Sequence, residues 1–403
     1  MRIISALRTM MAQQASDVHL TVGTPPAIRV HGRLSVLPDE PPCQAEELEQ
    51  ELEVLLDARQ LDLFRKTLEL DFALDLEGIG RFRGNIARER GQVSISMRAI
   101  KVMELDINAL GLPDICRSLA DKQIGLVVLT GPTGSGKSTT LAAMIEYINH
   151  TSRRRLITLE DPIEYMFTNK SCIITQREIG EDTYSFEAGL IHALRQDPDV
   201  IMVGEMRDAA TVETALRAAE TGHLVLSTAH APGAPESVER IVDLFPSFQH
   251  SQVRSQLAAV LQGIIYQKLL PNINNNGRVP ALEVMLGNYA VKNLIREGKG
   301  HQLYSTMQMS GGVGMQTMDQ HLLELVQKGV ITKEIATENC QRPEEFEKEL
   351  RGVTGPAVGA NGNGFKSPGG FQTPGGNQSP GGLQSNGLPG RELGAERTAA
   401  FPR

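Results

Sequence analysis

The sequence predicts an α/β protein in which a small α+β domain precedes a larger domain built on a doubly wound, mostly parallel sheet, followed by a disordered tail. Three observations predict it. Beyond Gly125, short apolar runs alternate with helical patterns, as strands and crossover helices do. One of them, Gly125 to Asn149, reads GLVVLTGPTGSGKSTTLAAMIEYIN, a buried strand, a glycine-rich loop and a helix in direct succession. From Val353 onward Gly, Pro, Ser, Asn and Gln replace the apolar residues that a core needs. At 403 residues the chain is also too long for one ordinary core.

In chain order, Ile3, Ile4, Leu7, Met10 and Met11 suit one face of a short helix and do not form the continuous apolar region of a signal peptide. Asp17 to Val22 alternates polar and apolar residues like a half-buried strand, Gly23-Thr24-Pro25-Pro26 turns the chain, and Ala27 to Val30 is a second strand. His31-Gly32 reads as a tight turn. The stretch from Ala45 to Phe64 is rich in Glu, Leu and Gln and reads as helix; Asp71-Phe72-Ala73-Leu74 opens another group of strands. Within that group Arg81, Arg83, Arg88 and Arg90 are set among Phe82, Asn85 and Ala87, which on its own describes an edge strand kept soluble by charge. This first domain takes in residues 1–98, and 99–120 is a linker broken at Gly111-Leu112-Pro113.

The larger core spans 121–286. Leu126-Val127-Val128-Leu129 is a short apolar run of the kind found in central parallel strands. Gly131, Pro132, Thr133, Gly134, Ser135, Gly136, Lys137 and Ser138 then satisfy G-x-x-x-x-G-K-[ST] at every defined position. Glycines let successive backbone N–H groups converge on a phosphate at the positive end of a helix. Lys137 would reach the β- and γ-phosphates and Ser138 would offer its hydroxyl to Mg²⁺, while Thr139 and Thr140 begin a helix with Leu141, Met144, Ile145 and Ile148 on its apolar face. The expected ligand is therefore a nucleoside triphosphate with magnesium.

Ligands of such sheets bind beyond the carboxyl ends of the strands, so the residues after each apolar run bear the chemistry. Leu156 to Leu159 runs into Glu160-Asp161-Pro162-Ile163-Glu164, Val200 to Val203 into Gly204-Glu205-Met206-Arg207-Asp208, and Leu224 to Ser227 into Thr228-Ala229-His230. Phosphoryl transfer to water needs a metal, a carboxylate to orient the water, and cations to balance the γ-phosphate. Glu164 and Glu205 suit the acidic roles, directly or through water on Mg²⁺, and His230 suits sensing or polarising the γ-phosphate. Residues 287–352 read as helical, with Ala290 to Lys299 an amphipathic stretch closed by Gly298; 353–403 forms the tail, in which FKSPGG, FQTPGG and NQSPGG repeat approximately.

A net charge of −8 and a pI near 5.7 argue against a general binder of nucleic acid or anionic membrane. The four cysteines are dispersed without a C-x-x-C pair, which fits neither a zinc site nor a disulfide framework and suits a reducing cytoplasm. No stretch approaches the ~20 apolar residues that span a bilayer, so work at a membrane would need another component to hold the chain there.

Several motifs together resemble the type II and type IV secretion ATPase superfamily. ITLEDPIEY at Ile157 to Tyr165 resembles its Asp box, RQDPDVIMVGEMRD at Arg195 to Asp208 its Walker B box, and TGHLVLSTAH at Thr221 to His230 its His box. SDVHLTVGTPPAIRVHGRL at Ser16 to Leu34 resembles the N-terminal domain of the same group, and Ala290 to Lys299 resembles the AIRNLIRE signature of type IV pilus retraction ATPases, with Val291 and Lys292 as departures. The resemblance covers about residues 1 to 350. It implies a PAS-like N-terminal domain, a RecA-like ATPase core, and a cytoplasmic homohexamer held at the inner membrane by the pilus platform protein, with a paralogous retraction ATPase as a further partner and no nucleic acid. It also implies that Glu205 is the Walker B glutamate, Glu164 the Asp-box acid, His223 and His230 the His-box histidines, and Arg81, Arg83, Arg88 and Arg90 the source of arginines for the nucleotide site. The assembly-type zinc module is missing from this sequence, and Ala231-Pro232-Gly233-Ala234 departs from the usual Thr-Asn-Ser-Ala-like continuation. An accessory retraction ATPase, an assembly or secretion motor, and a nucleotide-dependent regulatory protein are the alternatives.

Overall fold

Two sheets with separate cores organise the chain. The computed structural model describes residues 2–30, 32–38, 40–100 and 105–351. The expected turn at His31 and the expected disordered tail at 353–403 lie outside them.

The N-terminal part contains α1 (Arg2–Ala12), β1 (Asp17–Thr21), β2 (Ala27–Val30), β3 (Arg33–Val36), α2 (Ala45–Leu55), α3 (Ala58–Thr67), β4 (Glu69–Leu76), β5 (Gly80–Glu89) and β6 (Gln92–Ala99). Its sheet runs β3-β2-β1-β6-β5-β4 and is antiparallel throughout. Helix α1 buries Ile3, Ala6, Leu7 and Met10, leaving Met11 outside the apolar stripe. The single helix expected over Ala45 to Phe64 is two. Asp57 accepts a hydrogen bond from Gln60 N, and Gln60 reaches back to Asp57 N, so a capping box restarts the chain as α3.

From residue 105 onward the linker is packed. Leu105, Ile107, Leu112, Cys116, Leu119 and Ala120 are buried in the core of the second sheet, with α4 (Ile115–Ala120) among them, so this stretch is packed structure and not a tether.

The second part follows as β7 (Gly125–Thr130), α5 (Lys137–Thr151), β8 (Arg155–Glu160), β9 (Ile173–Glu178), α6 (Phe186–Ala193), β10 (Val200–Val203), α7 (Ala209–Glu220), β11 (Leu224–Ala229), α8 (Ala234–Val242), α9 (His250–Val260), β12 (Leu261–Pro271) and β13 (Arg278–Leu286). Five more helices complete it: α10 (Tyr289–Arg296), α11 (Leu303–Met309), α12 (Met318–Gln327), α13 (Lys333–Asn339) and α14 (Pro343–Arg351). Strand order is β13-β12-β7-β11-β10-β8-β9, parallel except for the antiparallel pair at the β13 edge. Every residue of β7, β10 and β11 is buried, as a sheet covered on both faces requires. Among the described residues no helix is long and apolar enough to cross a membrane.

Candidate active site

Parallel pairing of β7, β8, β10 and β11 brings their carboxyl ends to one side of the sheet, where the loops that follow enclose a cavity of about 490 Å³. Thr133, Gly134, Lys137 and Ser138 line it from the phosphate loop, Glu160, Asp161 and Glu164 from the end of β8, Glu205 and Arg207 from that of β10, and Thr228 and His230 from that of β11. Asp71 and Arg83 reach it from the N-terminal sheet.

The loop is shaped by glycine where nothing else fits. Gly131 and Gly136 have φ of 144° and 86°, and a Cβ would come within 2.3 Å of Gln267 O at the first and 2.8 Å of Gln267 Nε2 at the second. Gln267, buried on β12, donates from Nε2 to Ser135 O at 2.7 Å and accepts from Thr140 Oγ1 at 2.8 Å, so one amide braces the loop and the first turn of α5. Sequence reasoning missed it. The signal was a polar amide beside Lys268, the two interrupting the apolar stretch Ile264 to Leu270 far from the motif that Gln267 supports.

Lys137 folds back on its own loop, with Nζ donating to Gly131 O at 2.9 Å and Pro132 O at 3.0 Å. Burial draws its pKa below the ordinary lysine value, and the negative charges of Glu205 and Glu164 act against that fall. Ser135 Oγ is buried without a hydrogen-bond partner, and Thr139 Oγ1 lies 2.7 Å from Tyr165 OH.

Glu205 is held from two sides: Oε2 accepts from Arg207 Nη2 at 2.8 Å, and Oε1 lies 3.4 Å from His230 Nε2. Hydroxyls fix the strand ends beneath it, with Ser227 Oγ donating to Val203 O at 2.7 Å and Thr228 Oγ1 to Gly204 O at 2.6 Å. After β8, Gln176 Nε2 donates to Tyr165 O at 2.7 Å and to Glu160 Oε1 at 3.1 Å, while its Oε1 accepts from Phe167 N at 2.9 Å. One side chain thus fastens the Glu164 loop to β9. Glu160 is almost fully buried, and burial raises its carboxyl pKa.

The four arginines separate. Strand alternation puts Phe82, Gly84 and Ile86 on the core face, and Arg81 and Arg83 on the other. Arg83 reaches the cavity; Arg81 Nη2 instead donates to Glu178 Oε2 on β9 at 2.9 Å. Arg88 has the parity of the core face and is spent there, over the Phe64 ring at 5.3 Å and paired with Glu49. Arg90 lies in the β5–β6 turn at φ 52°. His223 is likewise not part of the site that this chain forms. It precedes β11, at the opposite end from His230, and its Nδ1 lies 2.9 Å from Ala218 O. Arg81, Arg88, Arg90 and His223 are thus not among the residues that line the cavity within this chain.

Residues 80–355 match the type II/IV secretion system protein family. The type IV pilus retraction ATPase PilT of Pseudomonas aeruginosa is 43% identical over 86% of this chain and 100% of its own length. A twitching motility protein of Neisseria gonorrhoeae is 44% identical over 85% of this chain and 92% of its own. Among solved structures, the pilus retraction motor PilT with bound ADP superposes with a TM-score of 0.81 at 47% identity, covering 86% of this chain and 99% of that one. The family match and relatives aligned over nearly their whole length agree with the architecture above, and the chain belongs to the type II/IV secretion system protein family, among its pilus retraction ATPases.

Proposed function

We propose that this chain is a Mg²⁺-dependent ATPase whose hydrolysis cycle powers retraction of a type IV pilus, working as a homohexamer on an inner-membrane platform protein. The observation that carries the reading is convergence: a phosphate loop, Glu164 and Glu205, a histidine and an arginine from the other sheet face one cavity. In the presence of ATP, Lys137 exchanges the carbonyls of Gly131 and Pro132 for phosphate oxygens, a stronger charge-assisted bond. Ser138, Glu164 and Glu205 are hard oxygen donors that fit Mg²⁺. Among the described residues no group of three or more His, Cys, Asp or Glu forms a dedicated cage, which matches an ion completed by phosphate and water. When bound, the ion neutralises charge on the β- and γ-phosphates. Glu164 and Glu205 divide two tasks, orienting the attacking water and organising the metal, with Arg207 and His230 fixing the Glu205 carboxylate. Arg83 supplies a permanent positive charge from the N-terminal sheet, so closure of the two parts completes the site.

Steady-state ATP hydrolysis by the purified full chain tests the chemistry. Lys137→Ala and Glu205→Ala are each expected to lower turnover by about 100-fold or more, and unchanged turnover in either would sink the assignment. Direction of work is read in cells lacking the chain, with labelled pili: pili that extend and stay extended support retraction. Bald cells would make it an assembly motor, and normal retraction would reduce it to an accessory role.

A further inference from the structure

One fully buried carboxylate has no place in this chemistry. Glu283, in the middle of β13, has no exposed surface, and its partners are the beginnings of two helices. Oε1 accepts from Ala234 N, the first residue of α8, at 2.6 Å; Oε2 accepts from Met318 N, the first residue of α12, at 3.4 Å; the Gln341 side chain adds a third bond. A buried charge held by helix N-termini costs desolvation that an apolar residue would avoid, so its retention calls for a purpose.

That purpose lies in the loop between His230 and α8. The residue capping α8 is Gly233, which offers no side-chain bond, and a Cβ there would come 3.3 Å from Glu283 Oε1 and 2.1 Å from Glu236 Oε2. Glu283 therefore caps α8 from a different strand, through the space that the glycine leaves. This accounts for the glycine at position 233. At the other end of the same loop, Ala231 N donates at 3.0 Å to Thr130 Oγ1, on the last residue of β7 before the phosphate loop. The loop that follows His230 is thus held at two points, one at the residue before the phosphate loop and one at the carboxylate that also grips α12.

We infer that Glu283 is a positioning residue for ATP hydrolysis: its ionised carboxylate draws the starts of α8 and α12 together, sets the height of His230 over the cavity, and ties that loop to the C-terminal helices. This rests on the cavity being an ATPase site. Burial pushes the Glu283 carboxyl up to about 6, and the neighbouring Glu236 charge on α8 pushes in the same direction. The other titratable groups around it are Tyr266 on β12, Tyr304 on α11, and on α12 both Asp319 and His321. Asp319 is occupied by the backbone N–H groups of Gln341 and Arg342 at 2.6 and 3.0 Å, and burial lowers the His321 pKa. Protonation of Glu283 removes the charge that both helices share.

The test measures kcat, KM for ATP and ADP affinity of the full chain between pH 5 and 8.5. Wild type should gain kcat with a midpoint near pH 6. Glu283→Gln, which keeps the shape and loses the charge, should lose about 10-fold in kcat at pH 8, hold KM and ADP affinity within about 2-fold, and lack the limb near pH 6. Glu236→Gln, an exposed change, should keep kcat at pH 8 and move the limb to lower pH by a few tenths of a unit. Unchanged kcat in Glu283→Gln, a loss that retains the wild-type limb, equal loss of ADP affinity, or an unmoved limb in Glu236→Gln would each overturn the inference. Should Glu283→Gln fail to fold, the Glu236→Gln limb decides alone. Lys137→Ala separates the two readings: if it retains turnover the ATPase assignment fails, and if it is inactive while the Glu283 and Glu236 variants behave as wild type, only the positioning role fails.

Discussion

Arg83 and Arg88 share a strand, and the parity of their positions decides what each can do. Arg83, on the face turned to the ATPase core, should contribute to transition-state charge balance; Arg83→Ala is expected to lower kcat/KM for ATP by about 10-fold or more. Arg88→Ala should leave turnover within about 2-fold and cost about 1 kcal/mol of stability, through lost contact with Phe64 and Glu49. Turnover and urea denaturation of the two variants check both statements, and equal loss of turnover would refute the parity argument. The cavity residues of the second sheet that were legible in the sequence share one property: each follows an apolar strand by a few residues, and parallel strands deliver such positions to one place, whereas Arg83 was reached only through the family resemblance. Gln267, Asp71 and Tyr165 were not legible, because their importance comes from strands and loops that only the folded chain brings to the phosphate loop.

Helices α8 and α9 are joined by a two-point ion pair, Arg254 Nη1 to Glu239 Oε1 at 2.8 Å and Nη2 to Oε2 at 2.5 Å. The Arg254 bond holds the Glu239 carboxyl below its ordinary 4.5, so the pair adds stability above that pH and the contribution is lost as pH falls through the folded value. Arg254→Met should therefore flatten the stability profile below about pH 4.5, as measured by denaturation across pH 3 to 7. At the phosphate loop, Gly136→Ala should cost about 1–2 kcal/mol for its left-handed φ and lose nucleotide binding, since the new methyl meets Gln267; thermal melting with and without ADP reads both. While the order of strands within the sheet came only from the fold, the alternation of strands and helices in the second part was legible because each has a clear period. The break at Asp57 was not, since leucine and glutamate continue across it and a capping aspartate looks like any surface acid. The packing of the linker was not legible either: its glycine and proline advertise a turn, while its scattered apolar residues show no period.

Polar contacts join the N-terminal part to the β9 end of the second sheet, among them Arg81 to Glu178, Arg59 of α3 to Glu181 at 2.6 Å, and Gln60 Nε2 to Glu181 Oε1 at 3.1 Å. Of these only Arg81–Glu178 is well shielded from solvent, and Glu178 Oε2 also accepts from Ile163 N at 3.3 Å, one residue before Glu164. A double-mutant cycle on Arg81→Ala and Glu178→Ala should give a coupling of about 1–3 kcal/mol in thermal stability, and near-additivity would show that the contact is idle. The order of the second sheet has a further consequence, for synthesis. Strand β7 lies between β11 and β12, and both are made long after it: Gly125 pairs with Leu224, and Leu126 with Leu261. At the usual pace of translation, Leu126 to Leu129 waits roughly ten to thirty seconds outside the ribosome for its second neighbour. Until β11 emerges both edges of this apolar strand are unpaired, and until β12 emerges one still is, so an open strand edge accompanies the nascent chain through that whole interval.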